Sequence, residues 1–121
     1  MENAKIGLFE DHDRLRENIA RELVDTYRHQ VPVLAASAAE ALAVIKGLEP
    51  GSLDVALVDG NLTRGRKDNA EGARIAKALR EVLGDGVSII GMSLTEEPIA
   101  GADIDIPKSN MGAIAAHIDS L

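Results

Sequence analysis

Polar residues follow four short apolar segments of this chain, and their types suit chemistry on a phosphoryl group. Glu10 and Asp11 follow KIGLF, and Asp59 stands near the end of LDVALVDG. Ser93 follows VSIIGM, and Lys108 follows DIDIP. A carboxylate can attack phosphorus as a nucleophile, while a hydroxyl and an ammonium can hold the phosphoryl oxygens. The three carboxylates would repel one another unless a cation joined them, which favours a Mg²⁺ site.

Short apolar segments bounded by turn residues predict strands at five places in the chain. The predicted strands are 5–9, 31–36, 53–60, 87–92 and 103–106. Strands that alternate with helices predict a parallel sheet covered by helices on both faces. We expect a flavodoxin-like (βα)5 doubly wound α/β fold with strand order 2-1-3-4-5, which brings the carboxyl ends of strands one, three, four and five together.

Helical spacing of apolar residues predicts helices after most of these strands. Asp11 or Asp13 is expected to cap the first helix, which extends to about His29. Ser37 and Glu40 form a capping box for the second. The next helix ends near Gly84, and the last begins at Ser109 or Asn110. Only a short segment with Pro98 and Gly101 separates the last two strands, so the fourth helix is expected to be shortened or missing.

Composition predicts a single domain over residues 1–121 with a cytoplasmic location. The net charge of −7 argues against direct nucleic-acid binding by the domain as a whole. There is no cysteine, which excludes disulfides and thiolate sites. The sequence contains no signal-peptide pattern and no apolar run long enough to span a membrane.

The order of the polar residues along the chain is the acid pair Glu10-Asp11, then Asp59, Ser93 and Lys108. In this order, nearly the whole chain resembles the receiver domain of a two-component response regulator. The resemblance implies that Asp59 is a phosphoacceptor. It also implies that Mg²⁺ is the cofactor, and that Ser93 and Lys108 contact the phosphate. The implied metal ligands are Glu10, Asp11, Asp59 and the backbone carbonyl of Asn61.

The same resemblance implies a signalling function rather than an enzyme with turnover, beyond self-dephosphorylation. A histidine kinase or histidine phosphotransfer protein would supply the phosphoryl group. A change in affinity for a downstream protein would be the output. We expect a stand-alone receiver without an attached effector in this chain.

Five features depart from the usual receiver pattern, one of which is Ser109 after Lys108, where the family normally has Pro. Gly72 follows Asp59 by 13 residues, so the intervening loop is enlarged. Asp105 stands three residues before Lys108, where the family usually has Tyr or Phe. Leu94 occupies a position where a small residue is usual, and a bulky side chain there would narrow access to the acceptor. The interval between Ser93 and Lys108 is also short.

Two other functions stay open at this point. The first is a receiver-like interaction module that is never phosphorylated, which Asp105, Leu94 and the reduced fourth helix favour. The second is a small phosphohydrolase of the haloacid-dehalogenase kind, although Asn61 stands where those enzymes place a second Asp. Three basic residues of the enlarged loop either form a solvated surface or attract a phosphodonor or an acidic partner. They are Arg64, Arg66 and Lys67.

Overall fold

The computed structural model describes residues 1–93 and 97–121 and shows a parallel sheet in the order β2-β1-β3-β4-β5. The strands are β1 (Lys5–Phe9), β2 (Gln30–Ala35), β3 (Val55–Asp59), β4 (Ser88–Met92) and β5 (Ile104–Asp105). The predicted flavodoxin-like class and strand order are therefore confirmed.

Four α-helices are present in the described part of the chain. They are α1 (Asp13–Asp25), α2 (Ala38–Lys46), α3 (Ala70–Leu83) and α4 (Met111–Ser120). Between β4 and β5 the described residues 97–103 contain no helix, in agreement with the prediction of a shortened or missing fourth helix. The predicted effect of Leu94 on access to Asp59 falls outside the described residues. None of the described helices is both long and apolar enough to cross a membrane.

Strand β3 lies at the centre of the sheet, and all five of its residues are buried. Its side chains alternate between two cores because successive residues of a strand point to opposite faces. Val55 and Leu57 pack with α1 and α4, whereas Ala56 and Val58 pack with α2 and α3. This packing on both faces explains why the strand is a nearly continuous apolar run that ends in a single acid.

The register of the central strands places the polar strand ends side by side. Phe9 of β1 pairs with Val58 of β3, and Asp59 pairs with Met92 of β4. The residues that follow Phe9 and Met92, Glu10 and Ser93, therefore leave the sheet next to Asp59. The edge that carries the polar residues is thus set by main-chain pairing in the sheet.

Helix α1 begins and ends differently from the prediction. His12, rather than Asp11 or Asp13, is the N-cap, and its Nδ1 accepts a hydrogen bond from the Leu15 N–H at 3.2 Å. Asp11 lies instead among the acids of the sheet edge. The helix ends at Asp25, and Arg28 then adopts a left-handed conformation with φ of 62° that ends the turn before β2.

The other helix-end signals agree with the structure. The Ser37 hydroxyl accepts from the Glu40 N–H at 3.1 Å at the start of α2, which is one of the two hydrogen bonds of the predicted capping box. Gly84 follows α3 with a φ of 64°, a conformation that glycine adopts at little cost. The Asn110 side chain accepts from the Ala113 N–H at the start of α4.

Candidate functional site

Three carboxylates converge at the carboxyl edge of the sheet. Glu10, Asp11 and Asp59 each offer an oxygen, and these oxygens all lie within 4.8 Å of one another. Glu10 is fully buried, Asp59 is 5% exposed and Asp11 is partly exposed. The Glu10 N–H donates to the Ala35 carbonyl at 3.1 Å, which fixes the chain as it leaves β1.

Lys108 supplies a positive charge to this cluster. Its Nζ lies 3.0 Å from Oε1 of Glu10 and 3.3 Å from Oδ2 of Asp59, and its side chain is largely buried. The Ile106 N–H donates to the Gly91 carbonyl at 2.9 Å, which extends the pairing of β5 with β4 and holds the segment before Lys108 in place. One ammonium thus faces three carboxyl groups.

The excess of carboxyl groups over cations in this cluster is accompanied by raised pKa values of its acids. Burial, followed by hydrogen bonding and repulsion from Glu10, raises the pKa of Asp59 to about 7. Burial and then the charge of Asp59 raise the pKa of Asp11. Burial alone would lower the pKa of Lys108, but its attraction to Asp59 and Glu10 outweighs that effect and raises it. The cluster therefore resists carrying its full negative charge when no further cation is present.

The donor set fits a hard divalent cation. Oε2 of Glu10 is buried and has no hydrogen-bond donor among the described residues. Such an oxygen is costly to bury unless a proton or a cation satisfies it. Mg²⁺ binds one or two carboxylates together with water and phosphate oxygens, and this cluster offers only oxygen ligands. The chemistry of the residues is thus compatible with the Mg²⁺ expected from the sequence.

A network of two asparagines connects Asp59 with Ser93. The Asn61 N–H faces Oδ1 of Asp59 at 3.4 Å, and the Asn61 side-chain amide donates to Oδ1 of Asn69 at 2.9 Å. The Asn69 N–H donates back to Oδ1 of Asn61 at 2.9 Å, and the Ser93 hydroxyl lies 3.4 Å from Oδ1 of Asn69. Sequence reasoning missed Asn69. Its position as the last polar residue before α3 is the signal that could have indicated it.

Glu71 is a second residue that the sequence interpretation missed. This carboxylate is 4% exposed and accepts from the Leu62 N–H at 3.1 Å and the Thr63 N–H at 3.0 Å. Its other oxygen accepts from the Thr63 hydroxyl at 2.8 Å. An acid in the first turn of a helix usually interacts with that helix's own N–H groups, so only the folded chain reveals that it secures the loop.

Close backbone packing joins α3 to the end of β3. The Gly72 N–H donates to the Gly60 carbonyl at 2.9 Å. A Cβ atom on Gly72 would lie 2.6 Å from the carbonyl oxygen of Asp59 and 2.8 Å from Cα of Gly60. Only glycine permits this approach, so the enlarged loop still returns to the same point beside Asp59.

Asp105, at the position where receivers usually carry an aromatic residue, has a structural contact of its own. Its Oδ1 accepts from the Ile99 N–H at 3.0 Å. It pairs in register with Gly91 of β4, where a Cβ atom would collide with the Asp105 carboxylate. The side chain therefore fastens the segment after residue 97 to the edge of the sheet.

The residues predicted for the site thus lie at one edge of the sheet. Glu10, Asp11, Asp59 and Lys108 form one cluster, and Ser93 and Asn61 meet at Asn69. Their individual roles in phosphoryl transfer stay predictions.

Comparisons with solved structures identify the fold of the chain. No family model matches the sequence, and no curated protein matches it. The solved signal receiver domain of NarL from Mycobacterium tuberculosis is similar over 99% of this chain and 96% of its own, with a TM-score of 0.74 and 26% identity. The chain has the fold of a response-regulator receiver domain.

Other solved structures with the receiver fold also match nearly the whole of this chain. A LuxR-family two-component response regulator from Aurantimonas matches 98% of this chain and 84% of its own, with a TM-score of 0.74 and 21% identity. A chain from the complex of the phosphorylated P1 domain of CheA3 with CheY6 of R. sphaeroides matches 98% of this chain and 96% of its own. Its TM-score is 0.67 and its identity 19%.

Proposed function

We propose that residues 1–121 form one receiver domain that accepts a phosphoryl group on Asp59 in two-component signalling. The observation that carries the proposal is the convergence of Asp59 with Glu10, Asp11 and Lys108 at the carboxyl edge of a receiver fold. Oε2 of Glu10 adds support, because it is buried without a hydrogen-bond donor among the described residues and a cation bound there would satisfy it.

Asp59 would act as the nucleophile. One of its carboxylate oxygens forms a bond to phosphorus, while the bond between phosphorus and a histidine nitrogen of the donor breaks and that nitrogen takes up a proton. Lys108 holds Asp59 at 3.3 Å before the reaction and remains near the new phosphoryl oxygens after it. Ser93 leaves β4 beside Asp59 and would donate to a phosphoryl oxygen.

Glu10, Asp11, Asp59 and the backbone carbonyl of Asn61 are the proposed ligands of Mg²⁺. When bound, this ion would neutralise charge on the transferring phosphoryl group. The ligands from this chain reach the ion from the ends of β1 and β3, so main-chain pairing between these strands fixes their spacing.

A phosphoryl group on Asp59 adds negative charge and acceptor oxygens to an edge where Lys108 already bridges two acids. Lys108 and Ser93 would shift toward these oxygens and carry their loops with them. The proposed output is a change in affinity for a downstream protein. A histidine kinase or histidine phosphotransfer protein is the proposed donor. A solved structure similar to this chain comes from a complex of the phosphorylated P1 domain of CheA3 with CheY6, which supports a phosphorylated protein as the partner.

A specific observation also favours the alternative of an unphosphorylated interaction module. Asp105 replaces the usual aromatic residue and fastens the segment at Ile99 through a hydrogen bond of 3.0 Å. A segment fixed in this way is less suited to moving with the state of Asp59. The test below separates the two functions.

The test is the intact mass of the protein after incubation with phosphoramidate or acetyl phosphate, in Mg²⁺ or in EDTA. We expect one added phosphoryl group in Mg²⁺ and none in EDTA. Asp59→Asn should gain nothing. Asp25→Asn, which removes an exposed acid at the end of α1, is the matched control and should behave as the parent does.

Two results would contradict the proposal. One is a phosphoryl adduct that persists in Asp59→Asn, since the acceptor would then be another residue. The other is no adduct together with no Mg²⁺-induced shift in the NMR signals of Gly60 and Asn61. That second result would favour the interaction module.

A further inference from the structure

A cavity of about 460 Å³ opens beside Asp59 on the side of the enlarged loop. Asp11, Asp59 and Lys108 line its base. The loop residues that line it are Asn61, Thr63, Arg64, Gly65, Arg66 and Lys67. Its volume lies within the range of pockets that hold small molecules.

The loop that forms this cavity is anchored at both ends. Glu71 holds Leu62 and Thr63 through their main-chain N–H groups, and Leu62 is buried in the core. Asn61 and Asn69 exchange hydrogen bonds of 2.9 Å across the mouth of the loop. The segment between these anchors is therefore kept beside Asp59, where it borders the cavity.

The cations of the loop differ in how far they are neutralised. The Arg66 guanidinium lies 3.1 Å from Asp68 and 3.9 Å from Glu71. Arg64 and Lys67 are exposed and have no hydrogen bond or ion pair among the described residues. In a chain with a net charge of −7, two cations without a partner among the described residues thus border the same cavity as Asp59.

We propose that Arg64 and Lys67 form a subsite for an anionic leaving group, so that the chain favours acyl phosphates as small-molecule phosphodonors. The inference rests on the proposed function of Asp59. To that function the inference adds the chemical class of the small-molecule donor and the two residues that select this class. A phosphohistidine donor would reach Asp59 without using the subsite, because its leaving group carries no negative charge.

The reaction that these residues would serve is balanced. An oxygen of the Asp59 carboxylate forms a bond to the phosphorus of R–CO–O–PO₃²⁻. The bond between phosphorus and the acyl oxygen breaks, and R–COO⁻ leaves with the electron pair of that bond. No proton is needed. The negative charge that develops on the acyl oxygen lies in the cavity that Arg64 and Lys67 border, where their positive charges stabilise it.

The experiment compares two donors that differ in the charge of the leaving group. Acetyl phosphate releases acetate, whereas phosphoramidate releases neutral ammonia. Phosphorylation of Asp59 is followed by intact mass in Mg²⁺ for the parent and for the double variant Arg64→Ala/Lys67→Ala. We expect the acetyl phosphate rate constant to fall by about 3- to 10-fold, the effect of two exposed charges. The phosphoramidate rate constant should change by less than about 2-fold.

Two further variants serve as controls. Arg21→Ala/Lys46→Ala removes two exposed cations from α1 and α2 and changes the net charge equally, so it should leave both rate constants unchanged. Arg64→Lys/Lys67→Arg keeps both charges in the loop and should keep the preference for acetyl phosphate. Circular dichroism spectra that match the parent would confirm that the variants are folded.

Each result has a defined meaning. An equal fall for both donors would overturn the inference, because the loop would then attract any anion. No change for either donor would overturn it as well, while leaving the acceptor role of Asp59 in place. A parent that is phosphorylated by neither donor would overturn the inference. That result would contradict the proposed function as well only if Mg²⁺ also failed to shift the NMR signals of Gly60 and Asn61.

Discussion

Nζ of Lys108 lies 3.3 Å from Oδ2 of Asp59, although the two residues are 49 positions apart in the chain. The contact links the ends of β3 and β5, which are not neighbours in the sheet. It also couples the charge of the proposed acceptor to the segment that leads into α4. Changes at either residue should therefore be measurable at the other.

Replacement of Lys108 by Met should destabilise the metal-free protein. The change leaves Glu10 and Asp59 without their shared cation, and an uncompensated charge is costly when it is largely buried. We expect the free energy of unfolding to fall by about 1–3 kcal/mol at pH 8 in EDTA, as measured by urea denaturation.

Addition of Mg²⁺ should restore more stability to Lys108→Met than to the parent, because a divalent cation would replace the missing charge. Lys77→Met, at an exposed position of α3, is the control and should leave stability nearly unchanged. An equal Mg²⁺ effect in parent and Lys108→Met would contradict this account.

The pH dependence of stability should differ between the parent and Asp59→Asn. The pKa of Asp59 is about 7 in the folded protein, above its value of about 3.9 when unfolded. The folded state therefore binds more protons between these values, and the parent loses stability as the pH rises from about 4 to 7. The raised pKa of Lys108 adds no slope in this window, since Lys108 stays charged throughout.

Asp59→Asn lacks that loss. Its free energy of unfolding should therefore exceed that of the parent by a margin that grows with pH and levels off above pH 7. We expect a gain of about 1–3 kcal/mol at pH 8 in EDTA, from urea denaturation at a series of pH values. Asp25→Asn should follow the parent curve. Parallel curves for the parent and Asp59→Asn would show that the Asp59 carboxyl is not destabilised by its neighbours.

Gly72→Ala should displace the backbone at Asp59. The added Cβ would meet the Asp59 carbonyl oxygen at 2.6 Å, and a backbone atom cannot move aside as a flexible side chain can. We expect a loss of about 1–3 kcal/mol in unfolding free energy, together with a slower phosphorylation of Asp59.

Gly112 of α4 provides the matched control, because it also lies in the first turn of a helix. Within residues 1–93 and 97–121, the one atom near a Cβ at Gly112 would be Oδ1 of Asn110, at 3.8 Å. Gly112→Ala should therefore stabilise the protein by about 0.5–1 kcal/mol through helix propensity. Equal effects of the two substitutions would argue against close packing at Gly72.

Glu71→Ala should release the loop that follows Asp59. It removes the acceptor for the main-chain N–H groups of Leu62 and Thr63, which then lose protection against hydrogen exchange. NMR exchange rates at these two amides test the prediction. Glu81→Ala, at an exposed position of the same helix, should leave them unchanged.

The sequence was sufficient to predict the strands and their order. An apolar run such as the one ending at Asp59 is typical of a strand buried on both faces, and alternation with helices leaves few possible topologies. Because the carboxyl ends of parallel strands share one edge, strand order alone predicted that Asp59 and Lys108 lie at the same edge of the sheet.

Contacts that depend on the path of a loop could not be predicted. The exchange of hydrogen bonds between Asn61 and Asn69 requires the loop to return to its starting point, which local propensity does not encode. The first helix was predicted to extend to about His29, but His29 lies beyond its end, is 4% exposed, and accepts a hydrogen bond at Nδ1 from the Ala4 N–H at 3.0 Å. That contact joins the segments before two neighbouring strands, so it depends on the sheet register.

The site of phosphorylation tests the central claim most directly. After incubation with phosphoramidate and Mg²⁺, borohydride reduction converts an aspartyl phosphate to homoserine, and tryptic peptides are then sequenced by mass spectrometry. The peptide 47–64 contains both Asp54 and Asp59, so the unreactive acid serves as an internal control. We predict homoserine at position 59 and unmodified Asp54. Homoserine at another acid, or at none while a phosphoryl group is attached elsewhere, would contradict the assignment of Asp59 as the acceptor.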